Sequence, residues 1–137
     1  MKKIISISLI CVLLILGSIG TAMADEISPR YNVVSRVSCG IYPENESIAY
    51  DVFLYVPSVD AIDYAYVDIE VRTTSGRLVA QQNGKRMEQE NIVFIYEGTT
   101  DITTSGTYFY NYEIRCYKDG VMVDNPTGTS RTLVYTP

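Results

Sequence analysis

The side chains of this sequence that could do chemistry are carboxylates, hydroxyls and thiols, because the chain contains no histidine. Without an imidazole there is no Ser-His-Asp arrangement, no Cys-His nucleophile and no histidine-ligated zinc. A pair of carboxylates is enough for glycoside hydrolysis, and the nearest pairs are Asp60 with Asp63 and Asp68 with Glu70. The first pair falls in a loop, where Asp bonds its own backbone. The second falls on the outward face of a strand as solvated charge. Asp119, Asp124 and Asn125 gather oxygens around a terminal hairpin, but their spacing is not that of a calcium loop, and turn chemistry accounts for Asp-Gly and Asp-Asn-Pro. Gly76, Gly84 and Gly98 stand singly, so no phosphate-cradling loop is formed. The expectation is no catalytic residue, no metal ligand set and no cofactor.

The elements that carry these groups read as short strands, with apolar and polar residues alternating and turn residues between them. Tyr31, Val33, Val37, Cys39 and Ile41 share one parity; Ile48, Tyr50, Val52, Leu54 and Val56 share the next. Ala65, Val67, Ile69 and Val71 point inward from a third strand whose outward set is Tyr64, Tyr66, Asp68, Glu70 and Arg72. Ser75-Gly76 and Asn83-Gly84 read as hairpin turns. Ile92 to Tyr96 is a continuous apolar run whose facing the pattern leaves open. Residues 107–118 form the longest strand, with Tyr108, Tyr110, Tyr112, Ile114 and Cys116 inward. Asp119-Gly120 turns it back, and residues 131–135 close the domain. No segment after residue 25 sustains a helical period, so an antiparallel two-sheet sandwich of about seven strands is the economical way to bury one face of each sheet.

The first 24 residues follow a different rule. Lys2 and Lys3 precede an uncharged run rich in Ile, Leu and Val, which ends in Thr21-Ala22-Met23-Ala24. A basic start, an apolar stretch and small residues at the cleavage subsites are the marks of a signal peptide. The expected cut lies between Ala24 and Asp25, and an uncleaved membrane anchor is the competing reading. Export would leave residues 25–137 as one domain outside the cell or at the wall, touching a membrane only through the signal segment. All 16 acidic residues lie after position 24, and a surface of that sign repels phosphate backbones and anionic headgroups. Nucleic-acid binding is therefore set aside.

Within this frame, Thr104-Ser105-Gly106-Thr107-Tyr108-Phe109-Tyr110 resembles the start of strand F in immunoglobulin-like domains. Gly106 and Tyr108 stand where those domains keep a turn glycine and a corner tyrosine. Thr104 replaces the usual acid, Tyr110 replaces the usual cysteine, and the chain has no tryptophan. A second resemblance spans nearly the whole of residues 25–137. Ile27-Ser28-Pro29-Arg30-Tyr31, the alternating strands, Gly106-Thr107-Tyr108 and a terminal hairpin are similar to a group of small secreted proteins of Gram-positive bacteria with no established activity. That resemblance implies export and an immunoglobulin-like sandwich, and brings no catalytic residue.

Two further expectations concern particular side chains. Cys39 and Cys116 both take the inward parity, and an oxidising compartment permits them to pair; a disulfide closing so long a loop is worth about 4.5 kcal/mol. Tyr64, Tyr66, Phe109 and Tyr117 take the outward parity of two strands that neighbour each other in an immunoglobulin-like sandwich. Four aromatic rings on one face make a partner-binding surface. The leading functional expectation is thus a non-catalytic binding module for an extracellular or cell-wall protein or glycan. The alternative is an assembly subunit that recruits through an exposed strand edge; a carboxylate-dependent hydrolase is the distant third.

Overall fold

A computed structural model describes residues 31–137. The expected signal segment, residues 1–24, and its Ala24–Asp25 junction lie outside the described residues. Alternation of apolar and polar side chains is converted into ten strands: β1 (Arg36–Glu44), β2 (Ser47–Tyr55), β3 (Tyr64–Thr73), β4 (Leu78–Arg86), β5 (Glu88–Glu90), β6 (Val93–Asp101), β7 (Gly106–Lys118), β8 (Val121–Asp124), β9 (Thr127–Thr129) and β10 (Leu133–Tyr135). The inward sets of β2, β3 and β7 are those expected, and their side chains are buried. Phe94 supplies the inward contact of β6, which resolves the run whose facing was open.

The strands form two antiparallel sheets, ordered β1-β2-β6-β5 and β10-β7-β3-β4, with β8 and β9 also paired to β7. These are the A-B-E-D and G-F-C-C′ orders of an immunoglobulin sandwich. Ten strands replace the expected seven for two local reasons. The chain changes sheets at Met87, whose amide still donates to the Ala65 carbonyl at 2.9 Å before β5 joins the other sheet. The final return is cut into β8, β9 and β10 by Asn125-Pro126 and Ser130. Asn83-Gly84 is not a hairpin turn. β4 runs through it, and Gly84, at φ +61°, occupies a break in register against β3. Asp119-Gly120 does turn the chain, with both residues at positive φ, as a tight β7–β8 hairpin requires.

Tyrosines join the two sheets. Tyr110 stands where an immunoglobulin domain keeps the strand F cysteine. Its ring packs 5.6 Å from that of Tyr50 on β2, and its hydroxyl crosses the sandwich to donate to the Asp51 carbonyl at 2.6 Å. Tyr135 reaches from β10 to the Glu44 carbonyl of β1 at 3.4 Å. The Tyr108 hydroxyl donates to the Thr104 carbonyl at 2.7 Å, the bond of a tyrosine corner. Burying a phenol is favourable only when its hydroxyl finds a partner, and among the described residues no buried side-chain nitrogen or oxygen lacks one.

The expected Cys39–Cys116 disulfide is not present; both are free thiols. Cys39 lies against the Tyr110 hydroxyl and the Thr129 carbonyl, whereas Cys116 lies beside Ala65 and Asp124. The span from Tyr110 to Cys116 along β7 is roughly 20 Å at strand rise, and a disulfide needs Cα atoms within about 7 Å. Shared inward parity says nothing about position along the strand. Burial raises the pKa of both thiols, that of Cys116 to about 12. Unreduced protein is therefore expected to take up alkylating agent on both cysteines after denaturation, while Cys116 stays protected in the native state. Mass analysis finding neither thiol titratable would contradict this.

Candidate functional site

The outward face of the β10-β7-β3-β4 sheet is built by the β3–β7 register, which sets Tyr64 opposite Tyr117, Tyr66 opposite Arg115, Asp68 opposite Glu113, Glu70 opposite Asn111 and Arg72 opposite Phe109. Three of the four expected aromatic residues converge. Tyr64 stacks on Tyr117 with centroids 5.0 Å apart, and Tyr66 meets both edge-on, at 5.7 and 6.2 Å. Arg86 of β4 lies over Tyr64, 5.6 Å from its centroid. Met122, half exposed, follows Tyr117 in register on β8. Phe109 does not belong to this group. It is eight positions from Tyr117, roughly 26 Å at strand rise, and the expectation of one four-ring patch fails because the β3–β7 register brings Tyr64 and Tyr66 to the Tyr117 end of β7.

Between the two ends run charged pairs, one between β3 and β7 and one within β3. Asp68 accepts from the Arg115 guanidinium and from the Gly84 amide, and Glu70 pairs with Arg72 at 2.8 Å. Hydrogen bonding to Arg115 lowers the pKa of Asp68. Asp63 is likewise lowered, by the Lys118 ammonium and the Asp119 amide. Of the two carboxylate pairs weighed for hydrolysis, Asp63, Asp68 and Glu70 are engaged in ion pairs, and Asp63 and Asp68 are held as anions rather than poised as proton donors. Asp124 accepts from the amides of Val33 and Val34 at 2.9 and 3.0 Å, tying the segment before β1 to β8. Asn125 donates to the Ile114 carbonyl at 2.7 Å. These oxygens and amides serve the backbone of distant segments, beyond the local turn chemistry that the sequence pattern led one to expect.

The outward face of the other sheet went unread in the sequence. At one end, Phe53, Tyr55, Val93 and Ile95 are half-buried neighbours in register, with the Arg36 guanidinium 4.3 Å from the Tyr55 centroid. At the other end lies an open depression of about 430 Å³ lined by Tyr42, Glu44, Ala49, Asp51, Glu97 and Thr99. Tyr42 and Asp51 carry the alternating signal of β1 and β2, but only the pairing of β1, β2 and β6 sets them beside Glu97.

No protein-family model and no curated protein matches the chain. Among solved structures it is similar to a "putative beta-galactosidase" from Bacteroides fragilis, at 14% identity and a TM-score of 0.38, over 68% of this chain and 15% of that one. A likeness this low carries no argument about activity. The candidate surfaces therefore rest on their own geometry: a compact three-tyrosine cluster with Arg86, Arg115 and Met122 on one sheet, and an acidic, tyrosine-walled hollow on the other.

Proposed function

We propose that this protein is an exported, non-catalytic binding module that engages its partner through the Tyr64, Tyr66 and Tyr117 end of its outward sheet face. The mutual packing of those three rings carries the reading. Tyrosine, arginine and methionine are the residue types enriched at protein interfaces, and here they are contiguous. The rings hold one another in place, so little side-chain entropy is lost when a partner covers them. Two of them spend a face on each other, which leaves edges and hydroxyls for contact and favours a protein partner over a sugar ring.

The test replaces Tyr64, Tyr66 and Tyr117 with serine together and measures retention on cell-wall material from a Gram-positive bacterium, with its surface proteins left in place. Cross-strand aromatic pairs are worth roughly 0.2–1 kcal/mol each, so the variant is expected to fold, as thermal unfolding will show. Loss of at least tenfold in retention is expected, while Phe109→Ser binds as the parent does. A folded triple variant retained like the parent would sink the proposal.

A further inference from the structure

The hollow on the β1-β2-β6-β5 sheet is built by three cross-strand rows: Gly40, Asp51 and Glu97; Tyr42, Ala49 and Thr99; Glu44, Ser47 and Asp101. Gly40 determines its shape. A Cβ at that position would fall on the hydroxyl and Cζ of Tyr42, so the phenol reclines into the space that glycine leaves empty. A strand side chain ordinarily stands perpendicular to its sheet. Tyr42 instead lies along the surface and is 44% exposed, which turns a face of its ring outward. Ala49 keeps the floor low beside it. At about 430 Å³ the hollow is within the range of small-ligand sites.

Its charge is one-sided. Glu44, Asp51 and Glu97 line the hollow; Glu44 accepts from the Ser47 hydroxyl at 3.4 Å, and none of the three enters an ion pair among the described residues. Asp51 and Glu97 stand directly opposite each other, an arrangement that costs stability between adjacent strands. Arg131 lies 5.8 Å from the Tyr42 centroid but directs its Nη2 to the Ile41 carbonyl at 3.4 Å. A ligand that suits both features needs an apolar ring face for Tyr42 and a cation for the carboxylates.

We propose that this hollow binds a saccharide bearing a free ammonium group. The C–H face of the sugar rests on Tyr42, the ammonium sits between Asp51 and Glu97, and ring hydroxyls donate to Glu44 and Thr99. Charge-assisted bonds to carboxylates supply the strong contacts, and the aromatic face supplies an apolar contact and cation attraction. An anionic glycan is repelled. A simple polyamine satisfies the carboxylates and can lie over Tyr42, but it has no ring hydroxyls to donate to Glu44 and Thr99. The site is on the opposite sheet from Tyr64, Tyr66 and Tyr117, and does not depend on that surface.

The probe is the fully deacetylated glucosamine trimer, titrated into the 15N-labelled protein and followed by amide shifts. Saturable shifts at Gly40, Asp51 and Gly98 are expected, weakening at least tenfold in Tyr42→Ala and in the Asp51→Asn, Glu97→Gln pair. Gly40→Ala, which displaces Tyr42, is expected to lose binding to the same degree while melting close to the parent. The N-acetylated trimer, which has lost its charge, should bind at least tenfold more weakly. The proposal is overturned by the absence of saturable shifts, by equal affinity for the two trimers, or by full affinity in Tyr42→Ala. The serine variant of Tyr64, Tyr66 and Tyr117 should bind the trimer as the parent does; loss of binding in that variant alone would move the site to the other sheet.

Discussion

Replacing Tyr110 with alanine is expected to lower the unfolding free energy by about 3–5 kcal/mol, as for other large aromatic truncations in a core. Tyr110 is fully buried, its ring packs on Tyr50 and Tyr112, and its hydroxyl bond to the Asp51 carbonyl links the two sheets. The removal leaves a cavity between sheets and withdraws the donor from that carbonyl. A domain of this size has a total stability of about 5–15 kcal/mol, so the variant should unfold at much lower urea. Tyr110→Phe keeps the ring and loses the inter-sheet hydrogen bond, and is expected to cost about 1–2 kcal/mol. Urea titrations of parent and both variants check this through their midpoints, provided the slopes agree. A Tyr110→Ala protein within about 1 kcal/mol of the parent would show that Tyr110 does not take the place of the inter-sheet disulfide.

The second large effect is expected from adding one methyl group at Gly98, at a cost of about 1–3 kcal/mol from overpacking. Gly98 lies opposite Tyr50 in register, and a Cβ there would come 2.5 Å from Tyr50 Cε2 and 2.9 Å from Cζ. Tyr50 cannot give way. It is 1% exposed, and its hydroxyl is held by Gln82, Thr100 and the Thr99 carbonyl. Gly40→Ala is the matched comparison, because its new methyl meets the free end of exposed Tyr42 and the Asp51 carboxylate, both of which can swing outward. A strand alanine is also worth roughly 0.5–1 kcal/mol over glycine. The melting temperature of Gly40→Ala should therefore stay near that of the parent, while that of Gly98→Ala falls by several degrees. Equal destabilisation by the two changes would refute this account of the Tyr50 contact.

How far the candidate sites were legible in the sequence follows from what period-2 alternation can encode. Parity placed Tyr64, Tyr66, Phe109 and Tyr117 on one face, and that face is correct. Strand rise already separates Phe109 from Tyr117 by roughly 26 Å; what parity could not report is that Tyr64 and Tyr66 join the Tyr117 end while Phe109 sits with Arg72, because that is set by the register of β7 with β3. The same limit explains Cys39 and Cys116. Both point inward, yet Cys39 meets β7 near Tyr110 and Cys116 lies near the strand's far end. The Tyr42 hollow was beyond reach for another reason: its rows take residues from β1, β2 and β6, and nothing local links position 42 to positions 51 and 97.

By itself the sequence determined that residues 31–137 would form antiparallel strands in a two-sheet sandwich, because alternating apolar residues must bury one face and turn residues limit each strand. It also marked Tyr108 as the corner, since glycine and tyrosine at that spacing make a local bond to Thr104. Only the tertiary structure decided which strands pair, in which register, and where the chain crosses from one sheet to the other at Met87. Those choices depend on contacts between residues far apart in sequence, such as Tyr110 with Asp51, whose free energy appears only once both sheets are assembled.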